Sequence, residues 1–468
     1  MTDAKTLRPF GLRDKLGYLF GNLGNDFTFI LSSSFLLKFY TDVMHLSAGV
    51  VGTVMMLARL VDAVTDITMG RICDAARTTP KGKFKPWILR ICIPVAVASF
   101  LIYQSSFADS PYAFRLFWFI LTYILWGSVF YTAINIPYGS MASAISPDAG
   151  DRQSLSTFRS LGSTFAGVLV GAGIPILAYE KRVIGGVEVT ALVGERFTAI
   201  AGVLSVLAVI AYLLCYFLTT ERISYESSAQ GRFSVGRLIK EAFTNKAIIS
   251  VIVASVVMLL SQFTLQQMAN FVYPDYYGNT AAQSVSVFAM LFGMLISAAL
   301  AKPLVGKFGK SEACAAASLI ASVFSVALFF LRPESVWVYV AFNFFGWLGL
   351  GVFTMVSWAI ITDVIDYSEI KNGVREDGTI YALYSFARKL GQAAAAGSTG
   401  VLLSLIGYRK DEGILPDASV LRGIFDISTV VPAIGFLALF LILWLWYPLD
   451  KRTVDENIRI LEKKRAKK

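Results

Sequence analysis

The sequence predicts an all-α membrane protein with twelve transmembrane helices arranged in two six-helix bundles. Hydrophobic residues make up 56% of the 468 residues, and the mean hydropathy is +0.62, more apolar than a soluble core of this size requires. A helix needs about 20 apolar residues to cross a bilayer, and twelve such stretches follow one another along the chain. The longest basic loop follows the sixth stretch, so the chain divides into two halves.

The predicted spans have centres near residues 29, 60, 95, 125, 168, 208, 257, 292, 321, 350, 393 and 433. The first span begins near Leu16 and is too long for a signal peptide, so we expect it to be retained. The predicted domains are an N-terminal bundle over residues 1–219, a cytoplasmic linker over 220–246, a C-terminal bundle over 247–448 and a basic cytoplasmic tail over 449–468.

The formal net charge is +10, but Lys and Arg lie in short loops and in the tail rather than along one polar face. We interpret them as topology signals that place both termini in the cytoplasm and the protein in the cell membrane, not as a nucleic-acid surface. The sequence contains no Walker motif and no nucleophile–histidine or metal-ligand motif. We therefore expect neither an enzyme nor a cofactor. Duplicated bundles instead favour gradient-driven transport by alternating access.

The second predicted helix carries three charges in mid-span, where each costs about 2.5–3.5 kcal/mol on insertion scales. Asp62 and Asp66 are one turn apart on one face, and Arg59 lies one turn before Asp62. Two converging carboxylates repel each other until a sodium ion or a proton lies between them. We therefore expect a cation site for Na⁺ or H⁺. The alternative is a structural ion pair with Arg59.

Asp26 gives the first helix a polar face together with Asn22 and Asn25. A sugar hydroxyl could donate a hydrogen bond to this carboxylate, so we expect these residues to contact a substrate. The alternative is that Asp26 pairs with Arg159, the only charge deep in the fifth predicted helix. Both roles are compatible.

The second half offers two further polar features within its spans. Arg388 and Lys389 are adjacent in the eleventh helix, so at most one points into the bundle, and we choose Lys389. The seventh helix has a polar stripe at i, i+4 and i+8, formed by Gln262, Gln266 and Asn270. The stripe could bind a sugar or link neighbouring helices, and the sequence leaves both roles open.

Charged residues near the cytoplasmic helix ends form another group. An acidic side chain at a helix end, followed by basic residues, suits an ion-pair latch that holds one conformational state, although such charges also serve as topology signals. The gate and ion-pair candidates are Arg59, Asp74, Arg77, Asp363, Asp366, Glu369 and Arg375.

Several motifs resemble those of one transporter family over nearly the whole chain, from Tyr18 to Pro448. They are Phe39-Tyr40-Thr41-Asp42, Asp62-Ala63-x-x-Asp66, Gly82-Lys83-Phe84-Lys85-Pro86, Asn135-Ile136-Pro137-Tyr138-Gly139-Ser140, and Asp363-x-x-Asp366-Tyr367-x-Glu369 followed by Gly373-Val374-Arg375. With them the chain resembles the glycoside-pentoside-hexuronide:cation symporters of the major facilitator superfamily, which include melibiose, glucuronide and xyloside carriers. The resemblance implies the major facilitator fold and sugar symport with Na⁺ or H⁺.

The resemblance also implies roles for single residues. Asp62 and Asp66 stand where melibiose carriers bind the coupling cation, and Thr132 stands at a hydroxyl ligand of that site. Residues that the family needs for sugar binding or transport align with Asp26, Arg159 and Lys389.

Some positions depart from the melibiose carriers. Asn135 and Gly139 replace an aspartate and a tryptophan, as in the glucuronide and xyloside carriers, and Thr65 replaces an asparagine cation ligand. Asp26 is the melibiose-type residue and would repel an anionic uronide. We therefore expect a neutral glycoside or pentoside, with a uronide, a sulfonated sugar or, less favoured, a lysolipid as alternatives. The expected partners are this substrate, the coupling cation and the bilayer, with no nucleic acid and no essential protein partner.

Overall fold

The structure is a computed structural model that describes residues 8–184, 186–223, 245–372, 377–409 and 417–466. Most of the predicted linker and the gate candidate Arg375 lie outside the described residues. The chain divides into two compact units, Met1–Gln230 with Tyr408–Leu415, and Gly231–Gly407 with Pro416–Lys468. These are called unit 1 and unit 2.

The described part of unit 1 consists of long helices and one short hairpin. The helices are α1 (Leu12–Asp42), α2 (Ala48–Ala75), α3 (Lys85–Ile102), α4 (Tyr112–Ile145), α5 (Ala149–Leu177) and α6 (Gly194–Leu218). The strands β1 (Tyr179–Ile184) and β2 (Val187–Leu192) lie between α5 and α6. Each predicted span centre of the first half falls inside one of these helices.

The hairpin is an addition to the predicted all-helical architecture. β1 and β2 pair antiparallel with Ile184 opposite Val187, so only two residues connect the strands. Gly186 has a φ of 85°, which suits a two-residue hairpin turn. A Gly-Gly pair between β-branched residues is a hairpin signal that a hydropathy scan does not detect.

The described part of unit 2 is helical. Its helices are α7 (Lys246–Tyr276), α8 (Thr280–Phe308), α9 (Lys310–Leu331), α10 (Val336–Asn372), α11 (Asp377–Leu405), α12 (Ala418–Trp446) and α13 (Lys451–Ala466). Each predicted span centre of the second half falls inside one of α7–α12. The Ser297 hydroxyl of α8 donates to the Leu348 carbonyl of α10 at 2.8 Å and joins these two helices.

Among the described residues, 10 helices are long and apolar enough to cross a membrane. Their outer faces expose large apolar side chains, for example Phe165, Phe217 and Leu445 at 63%, 65% and 69%. Such surface is stable against lipid rather than water, so this is a multi-span membrane protein. α1 and α11 are similarly long but more polar, since they carry residues such as Asp26 and Lys389.

Close contacts hold α1 against other helices of unit 1. Tyr18 and Tyr138 of α4 stack with ring centroids 4.6 Å apart, and the Tyr138 hydroxyl donates to the Tyr18 carbonyl at 2.7 Å. Gly162 permits a close approach of α5, because an added Cβ would lie 2.6 Å from the Leu19 carbonyl oxygen. This packing fixes the polar face of α1 against α4 and α5.

Candidate functional site

Two carboxylates of α2 face two hydroxyls of α4. Ser128 Oγ donates to Asp62 Oδ1 at 2.6 Å, and Thr132 Oγ1 donates to Asp66 Oδ1 at 2.8 Å. The two donors and the two acceptors are each four residues apart, so the hydrogen bonds repeat one helical turn along both helices. These four residues and Arg59 are called the carboxylate group.

A π-helical segment in α4, Leu125–Tyr131, lies at the carboxylate group. Such segments are rare and frequently occur at functional sites. The segment contains Gly127 and Ser128 and ends immediately before Thr132. Gly127 lies directly against the Asp62 carboxylate, since an added Cβ there would be 3.6 Å from Asp62 Oδ1, an ordinary van der Waals contact.

Arg59 lies beside the first of the two carboxylates. Its Nη1 is 3.4 Å from Asp62 Oδ2, and the side chains of Arg59 and Asp62 are only 13% and 15% exposed. The ion pair that the sequence offered as the alternative is therefore present. The group nevertheless contains two carboxyl groups and one guanidinium, so it still offers carboxylate oxygens with which a sodium ion or a proton can interact.

Thr65, a predicted cation ligand, does not join the carboxylate group. Its hydroxyl donates to the Asp62 backbone carbonyl at 3.2 Å, as threonine hydroxyls often do within a helix. The hydroxyl that contacts Asp62 belongs instead to Ser128, which the sequence did not single out. In the described part of the chain, no three His, Cys, Asp or Glu side chains together form a metal-binding cluster.

A second polar group begins on α1, where Asn22 joins two charges. Asn22 Oδ1 accepts from Arg159 Nε at 3.0 Å, and its Nδ2 donates to Asp26 Oδ2 at 2.6 Å. Asp26 and Arg159 thus interact through an amide rather than as a direct ion pair. The sequence raised the pairing of these two charges, and the structure shows the residue that mediates it.

Asn25 extends this second group to α4 and α6. Its Nδ2 donates to Asn135 Oδ1 at 3.5 Å, and its Oδ1 accepts from the Tyr212 hydroxyl at 2.9 Å. The Arg159 guanidinium also lies 5.5 Å from the centroid of the Tyr138 ring. The residues Asn22, Asn25, Asp26, Asn135 and Arg159 are called the amide group.

The amide group has the donors and acceptors that a polyhydroxylated ligand needs. A carboxylate accepts hydrogen bonds, a guanidinium donates them, and an amide does both. Asn22 and Asn25 are buried, with 4% and 1% exposure. Asp26 and Arg159 are only partly buried, so each retains surface for a further partner.

The residues of the polar stripe predicted on the seventh helix have different surroundings in unit 2. Asn270 is 1% exposed and accepts a hydrogen bond from Gln283 Nε2 of α8 at 2.7 Å. It therefore links two helices, which is one of the two roles that the sequence left open. Gln262 and Gln266 are partly exposed on α7, and their contact with a substrate stays a prediction.

Arg388 and Lys389 are both partly buried on α11. The Arg388 guanidinium lies over the Tyr384 ring of the same helix, 5.9 Å from its centroid. Arg388 is thus held along its own helix by an aromatic ring. A role for Lys389 in transport stays a prediction.

The Gly82–Pro86 motif binds a carboxylate at the start of α3. The backbone N–H groups of Lys83, Phe84 and Lys85 donate to the Glu221 carboxylate at 2.7, 3.0 and 2.7 Å. Helix N-termini attract anions in this way. Gly82 has a φ of 112°, and a side chain there would collide with Glu221. The motif thus ties the chain after α6 to the loop after α2.

The gate candidates differ in their surroundings. Asp74 and Arg77 are exposed at the cytoplasmic end predicted for α2, and in the described part of the chain neither side chain forms an ion pair. Asp363 is 6% exposed and pairs with Lys310 of α9 at 2.6 Å. Asp366 and Glu369 are partly exposed on α10. Lys310 is the partner that sequence spacing did not reveal.

The Phe39–Asp42 motif ends α1 in a buried cluster of charges. Lys38 Nζ lies 2.8 Å from Asp42 Oδ2 and donates to the Tyr408 hydroxyl at 2.8 Å. That hydroxyl in turn donates to Asp42 Oδ1 at 2.8 Å. Tyr408 belongs to the short second segment of unit 1. The i, i+4 spacing of Lys38 and Asp42 is readable from the sequence, whereas the tyrosine is not.

Comparisons with known proteins match this architecture. The family model described as MFS/sugar transport protein matches residues 17–451. The chain is 28% identical over 460 residues to the glucuronide carrier protein homolog of Escherichia coli strain K12, covering 97% of this chain and 96% of that protein. It is 29% identical over 464 residues to the putative glycoside/cation symporter YagG of the same organism, with 97% and 96% covered. The crystal structure of a D-xylose-proton symporter is similar in fold, with a TM-score of 0.61, 16% identity, and 93% and 97% of the two chains covered.

Proposed function

The chain belongs to the MFS/sugar transport family, and we propose that it is a secondary active symporter that carries a glycoside or pentoside together with Na⁺ or H⁺. In this proposal α1–α12 are twelve transmembrane spans of the cell membrane, with both termini in the cytoplasm. α1 and α11 would each extend about 45 Å at 1.5 Å per residue, which exceeds a hydrocarbon core of about 30 Å. Transport requires no cofactor and no protein partner.

The carboxylate group is the observation that carries the proposal. Acidic residues inside membrane spans are costly and mark ion or proton pathways. Asp62 and Asp66 present carboxylate oxygens beside the hydroxyls of Ser128 and Thr132, and oxygen is the ligand that hard cations prefer. The group sets one guanidinium against two carboxyl groups, and such a composition suits a single monovalent cation.

The amide group is the proposed sugar site in unit 1. Asp26 would accept a hydrogen bond from a sugar hydroxyl, while Arg159 and Asn135 would donate to sugar oxygens. Asn22 hydrogen-bonds to both Asp26 and Arg159, and such positioning of the two side chains lowers the cost of ordering them on binding. The proposed substrate-contacting residues of unit 2 are Gln262, Gln266 and Lys389.

Cation and sugar binding are thermodynamically linked in this proposal. A cation between Asp62 and Asp66 removes their mutual repulsion and stabilises α2 against α4, which also carries Asn135 of the amide group. A coupling free energy of about 1–3 kcal/mol would raise the affinity for each ligand about 5- to 150-fold when the other is bound. Alternating access then carries both ligands across the membrane, and the pairs Arg59–Asp62 and Lys310–Asp363 are candidate latches.

One contact favours a second class of substrate. The Arg159 guanidinium donates to the neutral amide of Asn22, so it could also bind an anionic sugar such as a uronide or a sulfonated sugar. The nearby carboxylate of Asp26 opposes such a ligand by like-charge repulsion. We therefore rank the neutral glycoside or pentoside first and the anionic sugar second.

The proposal is tested with the purified protein in proteoliposomes. Uptake of labelled neutral glycosides, pentosides and uronides is measured under an imposed sodium or proton gradient, for the wild type and for Asp66→Asn. The exposed Asp109→Asn serves as a matched control, because it removes a carboxylate outside both polar groups.

We expect one gradient to drive accumulation of one sugar class in the wild type and in the control, but not in Asp66→Asn. The sugar that accumulates decides between the neutral and the anionic substrate. Uptake that ignores both gradients, or accumulation that persists in Asp66→Asn, would contradict cation symport through this group.

A further inference from the structure

Arg59 contacts Asp62 of the carboxylate group and also an aromatic ring of α1. Its distance of 3.4 Å to Asp62 is longer than the roughly 2.7–2.9 Å of a strong charge-assisted hydrogen bond. Its guanidinium also lies over the ring of Phe29, 5.1 Å from the centroid, which is within the range of a cation–π interaction. The arginine is therefore shared between a carboxylate and an aromatic ring.

Phe29 also packs on Tyr131, which is next to Thr132 of the carboxylate group. Its ring stacks on Tyr131 with centroids 5.7 Å apart and an interplanar angle of 23°. Tyr131 directly precedes Thr132, which hydrogen-bonds to Asp66, and it closes the π-helical segment of α4. The Phe29 ring thus meets residues adjoining both carboxylates.

Phe29 is also connected to the amide group. It lies three residues after Asp26 on α1, so both side chains lie on neighbouring turns of one helix face. Tyr131 lies near charged residues of both groups, Asp26 and Arg159 in the amide group and Asp66 and Arg59 in the carboxylate group. The Phe29–Tyr131 pair therefore lies close to both polar groups. A change of charge in either group would alter the surroundings of the pair.

We propose that Phe29, through its contacts with Arg59 and Tyr131, is the positioning residue that couples the cation site to the sugar site. This inference rests on the proposed symport function. A cation at the carboxylate group weakens the attraction between Asp62 and Arg59, and the guanidinium then interacts more strongly with the ring of Phe29. The ring holds its turn of α1, and hence Asp26, in the position that binds sugar.

The test compares Phe29→Leu with Phe29→Tyr, which keeps an aromatic ring. Sugar affinity of the purified protein is measured with and without saturating cation, and cation affinity with and without saturating sugar. The wild type should show the same ratio in both directions, about 5- to 150-fold. We expect Phe29→Tyr to keep this ratio and Phe29→Leu to bring it close to one, while each ligand alone still binds with nearly wild-type affinity.

A second variant covers the case in which Phe29→Leu does not fold. Arg59→Lys keeps the positive charge but loses the planar guanidinium that packs on the ring, so it should also lower the ratio. If the variants fold, adding Phe29→Leu to Arg59→Lys should lower it no further.

Three results overturn the inference in distinguishable ways. A wild-type ratio in folded Phe29→Leu, or in Arg59→Lys when Phe29→Leu does not fold, removes Phe29 as the coupling residue. A loss of both affinities in Phe29→Leu with an unchanged ratio assigns Phe29 a structural role only. A ratio of one in the wild type contradicts the proposed symport itself, and not merely the part played by Phe29.

Discussion

The carboxylate group of unit 1 and the polar stripe of unit 2 both place polar side chains inside apolar helices, but their contacts differ. In unit 1, Asp62 and Asp66 each accept a hydrogen bond from a hydroxyl of another helix. In unit 2, Asn270 pairs with a glutamine of the next helix, whereas Gln262 and Gln266 keep exposed surface. Both carboxylates are hydrogen-bonded from a neighbouring helix, whereas the stripe combines one buried amide with two partly exposed ones.

The difference follows from charge. A mid-membrane carboxylate costs about 2.5–3.5 kcal/mol on insertion scales, whereas a neutral hydrogen bond between membrane helices contributes about 0.6 kcal/mol on average. A buried charge must therefore have specific partners, and its position indicates function. A neutral amide can link helices or contact a substrate, so its position alone does not decide between the two.

The largest expected effect tests whether charge in unit 1 serves sugar binding. Arg159→Ala removes a partly buried guanidinium from the amide group, and truncating one member of such a network costs about 2–5 kcal/mol. Sugar affinity should therefore fall about 30-fold or more, and Arg159→Lys should recover part of it. Calorimetry with purified protein measures both. Unchanged affinity in folded Arg159→Ala would make the amide group structural.

The next effect concerns the hydroxyls that face the carboxylates. A hydrogen bond to a charged group contributes about 1.5–3 kcal/mol, so Thr132→Val should shift the half-saturating cation concentration about tenfold or more, whereas Thr132→Ser should not. For sodium the concentration should rise, because an oxygen ligand is lost. For a proton it should fall, because the ionised carboxylate loses a donor. Uptake measured against cation concentration gives the sign, and no shift would exclude the hydroxyl from the site.

The smallest effects separate the two parts of the stripe in unit 2. Gln266→Leu should weaken sugar binding about 2- to 10-fold, because a neutral hydrogen bond contributes about 0.5–1.5 kcal/mol. Asn270→Leu should instead lower the thermal stability, because it leaves the amide of Gln283 buried without its partner, and sugar affinity should persist. Paired binding and unfolding measurements check this. If Asn270→Leu weakened sugar binding and Gln266→Leu lowered the thermal stability, Asn270 would contact the sugar and Gln266 would link the helices.

The helices of this protein could be predicted because long apolar runs are required for a backbone in lipid. The hairpin at β1 and β2 escaped prediction, since its signal is a local turn pattern and not hydropathy. The sequence singled out Asp62 and Asp66 because a charge in mid-span needs a functional or pairing reason, and their role as a cation site stays a prediction. The hydroxyls that face them on α4, Ser128 and Thr132, have the same separation of four residues.

Sequence reasoning missed some residues and, for others, the contacts that they make. Ser128 looks like any hydroxyl in a membrane helix, and most of these bond to their own backbone, as Thr65 does. Asn22 gave no sign that it joins Asp26 to Arg159, because the arginine is 137 residues away in the sequence. Lys310 pairs with Asp363 across a separation of 53 residues. Such partners are set by tertiary packing, which local spacing does not encode.

The most direct test of the central claim is cation movement driven by sugar alone. Sugar is added outside proteoliposomes that have no cation gradient, and entry of labelled sodium or of protons is recorded for the wild type and for Asp66→Asn. The account predicts cation entry in step with sugar entry in the wild type, and none in Asp66→Asn. Sugar entry in the wild type without any cation movement would contradict it.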